Sequence, residues 1–178
     1  LTYTITVTNL GSASGTYNLD DQFQFGTGVS VVSGPNVAYS GASTDGLQTA
    51  LVAGFNGAAS TRIVTNEPIA GGGLTDVFTI TVRVAVNPAT ATAGSLDCNL
   101  VAPETGTGTR NTATLSGNAT GSSTACQPLP LITIAKSEAV PTPVAGQPNN
   151  YNVVYTITAT NIGAASGTYN LDDSFQFG

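Results

Sequence analysis

The sequence predicts an all-β protein, a β-sandwich built from many short strands. Three observations predict it. Residues that favour helices are scarce: the 178 residues include one Lys, three Glu and no Met, against 28 Thr and 21 Gly. Apolar residues recur at every second position where the chain is most regular. Gly-rich breaks at 11–15, 26–28, 54–57 and 71–73 punctuate the runs.

The elements follow in order. In residues 1–8, Leu1, Tyr3, Ile5 and Val7 point one way and Thr2, Thr4, Thr6 and Thr8 the other, which gives a strand with one buried face. Residues 16–25 form the next strand, in which Phe23 and Phe25 alternate with Gln. Short strands are expected at 29–33, 48–53 and 61–65. Phe78, Ile80, Val82, Val84 and Val86 alternate with Thr79, Thr81 and Arg83, a second strand with one buried face. Strands at 112–116 and 131–136 complete the set. The inward register of Tyr3 and Tyr155 marks both as core residues.

Composition removes several functions. There is no His, so Ser-His-Asp and Cys-His sites and His-based metal centres are excluded. Four basic residues spread along a chain of net charge -6 leave no footprint for nucleic acid. Charged residues make up 8%, against roughly 25% in an ordinary domain. The apolar content of 40% nevertheless argues for a folded chain. No apolar run approaches the roughly 20 residues of a membrane helix, so no membrane insertion is expected in this segment. With no initial Met and no signal sequence, the chain reads as a mature protein or a fragment.

The strongest signal is internal. Residues 153–178 duplicate 1–26 without gaps at an offset of 152, with 20 of 26 positions identical. The Pro-rich stretch 125–130 (ACQPLP) is the expected boundary. Residues 1–130 then read as a β-sandwich repeat lacking its first strand, and 131–178 as the opening strands of the next repeat. Two explanations stand. The chain is a window on a tandem array, or 131–178 completes a neighbouring copy head to tail by strand addition. Either way the copies lie in a linear array, and a head-to-tail contact that does not close makes a filament. The strand-addition residues would be Leu131, Ile132, Ile134, Tyr155, Ile157, Tyr169, Phe175 and Phe177.

The order of motifs adds a family likeness. The run LITIAK at 131–136, then YTITATNIG at 155–163, then Asp172, resembles the start of the conserved repeat domain of bacterial surface proteins. In that family an apolar strand ends in Lys, a turn follows, then a YTITVTNxG strand and an Asp on the next strand. The stretches GTYNLDD from Gly15, GTGTRNTAT from Gly106 and CQPLP from Cys126 resemble prealbumin-like-fold repeats of secreted bacterial proteins. The resemblance implies an Ig-like or prealbumin-like β-sandwich strung along a surface or secreted protein, without enzymatic activity. It also implies an extracellular location, secreted or attached to the cell surface.

Cys98 and Cys126 are the only cysteines. In a secreted chain a disulfide between them is expected, and in a reducing cytosol two thiols. Two sulfurs without His do not make a zinc site. The pairs Asp20/Asp21 and Asp172/Asp173 recur in both copies. Adjacent strand residues face opposite ways, so one Asp of each pair is expected inside and one outside, which disfavours a catalytic dyad. The plain expectation is an Asp that accepts from backbone amides. No DxDxDG calcium loop is present.

In some surface sandwiches of this general kind a first-strand Lys condenses with an Asn beside a buried acid. The matching residues are Lys136, Asn111 and Asp20 or Asp21. The plain alternative is an exposed strand-end lysine. Asn118-Ala-Thr120 matches a glycosylation sequon.

The leading functional reading is a structural repeat of an extracellular bacterial filament or cell-surface stalk, whose partner is a further copy of itself and which needs no cofactor. The alternative is an adhesin module that binds a glycan or host protein through loops such as 32–43. A calcium-dependent matrix protein stands third, and an enzyme last.

Overall fold

A computed structural model describes residues 1–39 and 49–176. It is all-β, with antiparallel sheets and no α-helix among the described residues. The strands are β1 (Thr2–Asn9), β2 (Gly15–Phe25), β3 (Val29–Tyr39), β4 (Arg62–Ile69), β5 (Leu74–Val86), β6 (Thr109–Ser116), β7 (Gly121–Ala125), β8 (Ile132–Glu138), β9 (Thr142–Pro143), β10 (Tyr151–Asn152) and β11 (Tyr155–Asn161).

Two sheets carry the core. One has the order β1-β5-β3 and the other β4-β2-β6-β7. Their inner faces meet in one apolar cluster. β1 gives Tyr3 and Val7, β5 gives Phe78, Ile80 and Val82, β2 gives Tyr17 and Leu19, and β4 gives Ile63, Val64 and Ile69. The two-residue period of each strand delivers these side chains to one side, as a sandwich requires. A smaller cluster of Ala91, Leu96 and Leu131 closes one end. There a single 3-10 turn, Gly94–Leu96, precedes the Cys98–Cys126 disulfide.

Several expectations need correction. Residues 49–53 are not a strand, and Gln48 lies outside the described residues. Val52 N–H donates once to the Ile63 carbonyl at 2.8 Å, and the chain then turns through Gly54 and Gly57, both at positive φ. β3 runs on to Tyr39, beyond the expected 33, because an irregularity between Ser33 and Asn36 absorbs Gly34-Pro35 on an edge strand. β7 was not anticipated. All five residues of GSSTA are exposed, and only pairing with β6 makes them a strand.

The repeated segment behaves differently in its two settings. β11, the copy of β1, forms a strand paired with β8. Residues 167–176, the copy of β2, form no strand. Tyr17 is 2% exposed and its counterpart Tyr169 57%; Leu19 is 1% exposed and Leu171 47%. The cause is partnership. β2 is held between β4 and β6, and residues 167–176 have no such neighbours. Tyr169 and Phe175 are therefore not strand residues here, and Phe177 lies outside the described residues. Leu131 also departs from expectation. It precedes β8 and is buried against its own chain, in the cluster with Ala91 and Leu96. The segment before it is pinned as well, since Leu129 N–H donates to the Leu96 carbonyl at 2.9 Å.

Candidate strand-docking site

β1 is an edge strand. One side pairs with β5, and the other has no strand partner among the described residues. β7 is the outer strand of the facing sheet. Between these two edges the sandwich is open. An apolar groove of about 210 Å³ is lined by Ile5, Val7, Leu19, Ala113 and Leu115. Along the same edge lies a smaller pocket of about 120 Å³ where Tyr3, Asp21 and Asn111 come together.

The polar pocket follows from strand register. On β2 the inward positions are Tyr17, Leu19 and Asp21, so the alternation that buries the first two also buries the acid. On β6 the inward positions include Asn111 and Ala113. Asp21 pairs with Ala113 across the ladder and Phe23 with Asn111, which sets the two polar side chains side by side. Asp21 is fully buried, and no hydrogen bond of good geometry reaches either carboxylate oxygen among the described residues, although the Asn111 side chain is close enough to favour the charged form. Asn111 Oδ1 is likewise buried without one. Burial pushes the Asp21 carboxyl up to about 6, and the Asn111 side chain opposes part of that rise. The Tyr3 hydroxyl does not serve the acid, because it donates to the Thr109 carbonyl at 2.8 Å. Burial raises its pKa too.

Asp20 faces the other way. Its Oδ1 accepts from Arg62 Nε at 2.8 Å and from Thr61 Oγ1 at 3.3 Å. Neither member of the pair accepts from a backbone amide, contrary to expectation. Asp21 sits too deep among side chains, and Asp20 has a guanidinium beside it.

The second copy holds the missing counterpart. Lys136 Nζ lies 2.5 Å from Asp173 Oδ1, 4.8 Å from the Tyr155 ring centroid and 5.7 Å from that of Phe175. At the offset of 152, Asp173 corresponds to Asp21, Tyr155 to Tyr3 and Phe175 to Phe23. The structure therefore brings Asp21 and Asn111 together, sets Asp20 on the opposite face, and pairs Lys136 with Asp173 of its own segment. Ile132, Ile134, Tyr155 and Ile157 lie on the β8–β11 ribbon, where Ile157 is opposite Lys136 and Ala159 opposite Ile134. Ile134 is 63% exposed.

Cys98 and Cys126 are bonded, with Cα atoms 5.9 Å apart. The bond ties the segment after the 3-10 turn to the end of β7. Asn118, of the sequon, is exposed and donates to Thr16 Oγ1 at 3.0 Å. Residues 40–43 of the 32–43 loop lie outside the described residues. Sequence reasoning missed Asp76, which is fully buried. Its carboxylate accepts from the Tyr17 hydroxyl at 2.7 Å and the Tyr39 hydroxyl at 2.6 Å. The available signal was an acid on the inward register of β5, two residues before Phe78. Burial first, then Asp76, raises the Tyr17 pKa well above its ordinary value.

No group of three or more metal-ligating side chains occurs among the described residues, and none of their helices is long and apolar enough to cross a membrane. No family model, no curated protein and no solved structure matches the chain.

Proposed function

We propose that the chain is a non-catalytic structural repeat of an extracellular bacterial filament or cell-surface stalk, with copies arranged head to tail. One observation carries the reading: among the described residues β1 has one unpaired edge, whereas its duplicate β11 is paired with β8. The 1–130 sandwich has an open β1 edge above a groove. The 131–178 segment has a strand, β8, already paired with a duplicate of β1. Direction supports linearity. A strand paired with β1 as β8 pairs with β11 begins opposite Asn9 and ends opposite Tyr3. The chain leaves the sandwich beside Tyr3, where Gln127 accepts from Thr109. Arrival and departure are thus at opposite ends of a strand about 25 Å long. The disulfide supports an oxidising compartment.

The exposed aromatics of 151–175 do not favour the adhesin alternative. Tyr169 and Phe175 are duplicates of Tyr17 and Phe23, which pack in the sandwich. Missing strands account for their exposure without a sugar. Electron microscopy of the purified chain across a concentration series tests the proposal. Thin linear assemblies are expected, and discrete monomers at every concentration would overturn it.

A further inference from the structure

We infer that the Asp21–Asn111 pocket is the receptor for the Lys136 ammonium of a second copy, delivered when that copy's Ile132–Glu138 strand adds to the open edge of β1. The inference rests on the head-to-tail reading and names the residues that make the junction.

The register is fixed by the chain itself. β8 pairs with β11, and β11 is a near-duplicate of β1. Transferring that pairing by 152 residues sets Lys136 opposite Ile5, Ile134 opposite Val7, and Ile132 opposite Asn9. Directly opposed residues of an antiparallel pair share a face. Tyr3 and Val7 are buried, so that face points into the sandwich. Ile134 then enters the apolar groove beside Val7, Leu19 and Leu115, and Lys136 enters at the level of Asp21 and Asn111. Thr133, Ala135 and Ser137 face outward, and Glu138, the last inward position, comes opposite Tyr3 where β8 ends. The two isoleucines meet the apolar groove, and the one lysine meets a buried carboxylate that no cation of its own sandwich reaches among the described residues.

The second copy already makes this contact with the counterpart acid, Lys136 with Asp173. β8 also packs in no sheet larger than its own ribbon. It sits in a two-stranded ribbon with Ile134 exposed, an arrangement that is marginal in water. In the β1 slot it becomes the fourth strand of a packed sheet. The ammonium supplies an ion pair to Asp21 and a donor to Asn111 Oδ1, both of which lack one.

Analytical ultracentrifugation of the full chain and of Lys136→Gln, Asp21→Asn and Asp173→Asn decides it. Asp173→Asn removes the contact that Lys136 must give up, so it is expected to self-associate at least as readily as the wild-type chain. Lys136→Gln and Asp21→Asn should each need at least about thirtyfold higher concentration, the scale of a lost buried charge partner. Mixing these two should restore a defined dimer, because one keeps an intact acceptor and the other an intact donor. A misfolded variant cannot rescue another, so the mixture separates loss of the contact from loss of the fold. Assembly of Asp21→Asn at the wild-type concentration, or a mixture no better than its components, overturns the inference while leaving the array intact. A wild-type chain that stays monomeric overturns the array reading and the receptor together.

Discussion

Asp21→Asn should stabilise the isolated chain while it weakens the junction. The Asp21 carboxyl titrates near 6 in the folded protein against 3.8 for the free group, raised by burial. Between those pH values the folded state holds a proton that the unfolded state releases. Stability therefore falls as pH rises from about 4 to about 6, and the loss persists above that range. A shift of about two units corresponds to about 3 kcal/mol at neutral pH. Asn keeps the shape and removes the charge, but leaves a buried amide incompletely bonded at a cost of about 1 kcal/mol. The expected net gain is about 2 kcal/mol at pH 7.5, or roughly 6 °C in Tm, and at pH 4, where Asp21 is already neutral, it turns into a small loss of up to about 1 kcal/mol. Circular dichroism melts of both proteins at the two pH values, with the disulfide intact, measure it. A variant that melts at or below wild type at pH 7.5, or that gains equally at both, would refute the argument. So would a gain that accompanies unimpaired assembly, since charge at this position would then have no use.

Replacing Cys98 and Cys126 with Ser opens a loop with a sequence separation of 28. On loop-closure entropy the loss should be about 3.5 kcal/mol in urea unfolding, and an unchanged midpoint would contradict it. Tyr17→Phe removes one of the two hydroxyls on buried Asp76 and should cost about 1–3 kcal/mol by the same measurement, whereas the exposed duplicate Tyr169→Phe should cost almost nothing. Intact mass of the monomeric chain should return the sequence mass less the two hydrogens of the disulfide, because within the chain Lys136 is paired with Asp173. A Lys136–Asn111 amide would have to join two copies, so a covalent dimer lacking the mass of one ammonia would show that it forms.

The all-β class was legible because alternation in β1 and β5 reflects burial of one face, and burial leaves a period in the sequence. β7 left no such trace, since GSSTA buries nothing and is a strand only because β6 lies beside it. Residues 49–53 erred the other way, apolar enough to suggest a strand but joined to β4 by one backbone bond, at Val52, and by Thr49 on the Glu67 carboxylate. The plainest case is the duplicated segment. Residues 15–25 and 167–176 share nearly all their side chains, yet only the first is a strand. Local propensity is the same in both, and the difference is the presence of β4 and β6. The candidate site divides similarly. Asp21 and Asn111 were singled out by family likeness, but their closeness depends on a β2–β6 register joining residues about 90 apart, which no local pattern records. Asp76 and its two tyrosines were missed for the same reason.

The poverty of charge gives the junction its specificity. Arg62 is on Asp20, Arg110 Nε donates to Gln24, and Arg83 is exposed on β5. None of them reaches Asp21, so among cations of this sequence the acid has only Lys136 of another copy to select. Apolar contacts alone would not set the register, because Ile132 and Ile134 recur at the strand period and tolerate a slip by two residues. Such a slip moves Lys136 from the level of Ile5 to that of Tyr3 or Val7. At Val7 its ammonium meets Leu19 and Leu115 and is lost to Asp21. The slip to Val7 buries an unpaired charge, a penalty of several kcal/mol that exceeds what one extra aliphatic contact returns. A single buried acid and a single lysine thus select one alignment out of several that the apolar pattern accepts, as one polar group fixes the register of a coiled coil. The stability that Asp21 forfeits in the free sandwich is the energetic basis of that choice.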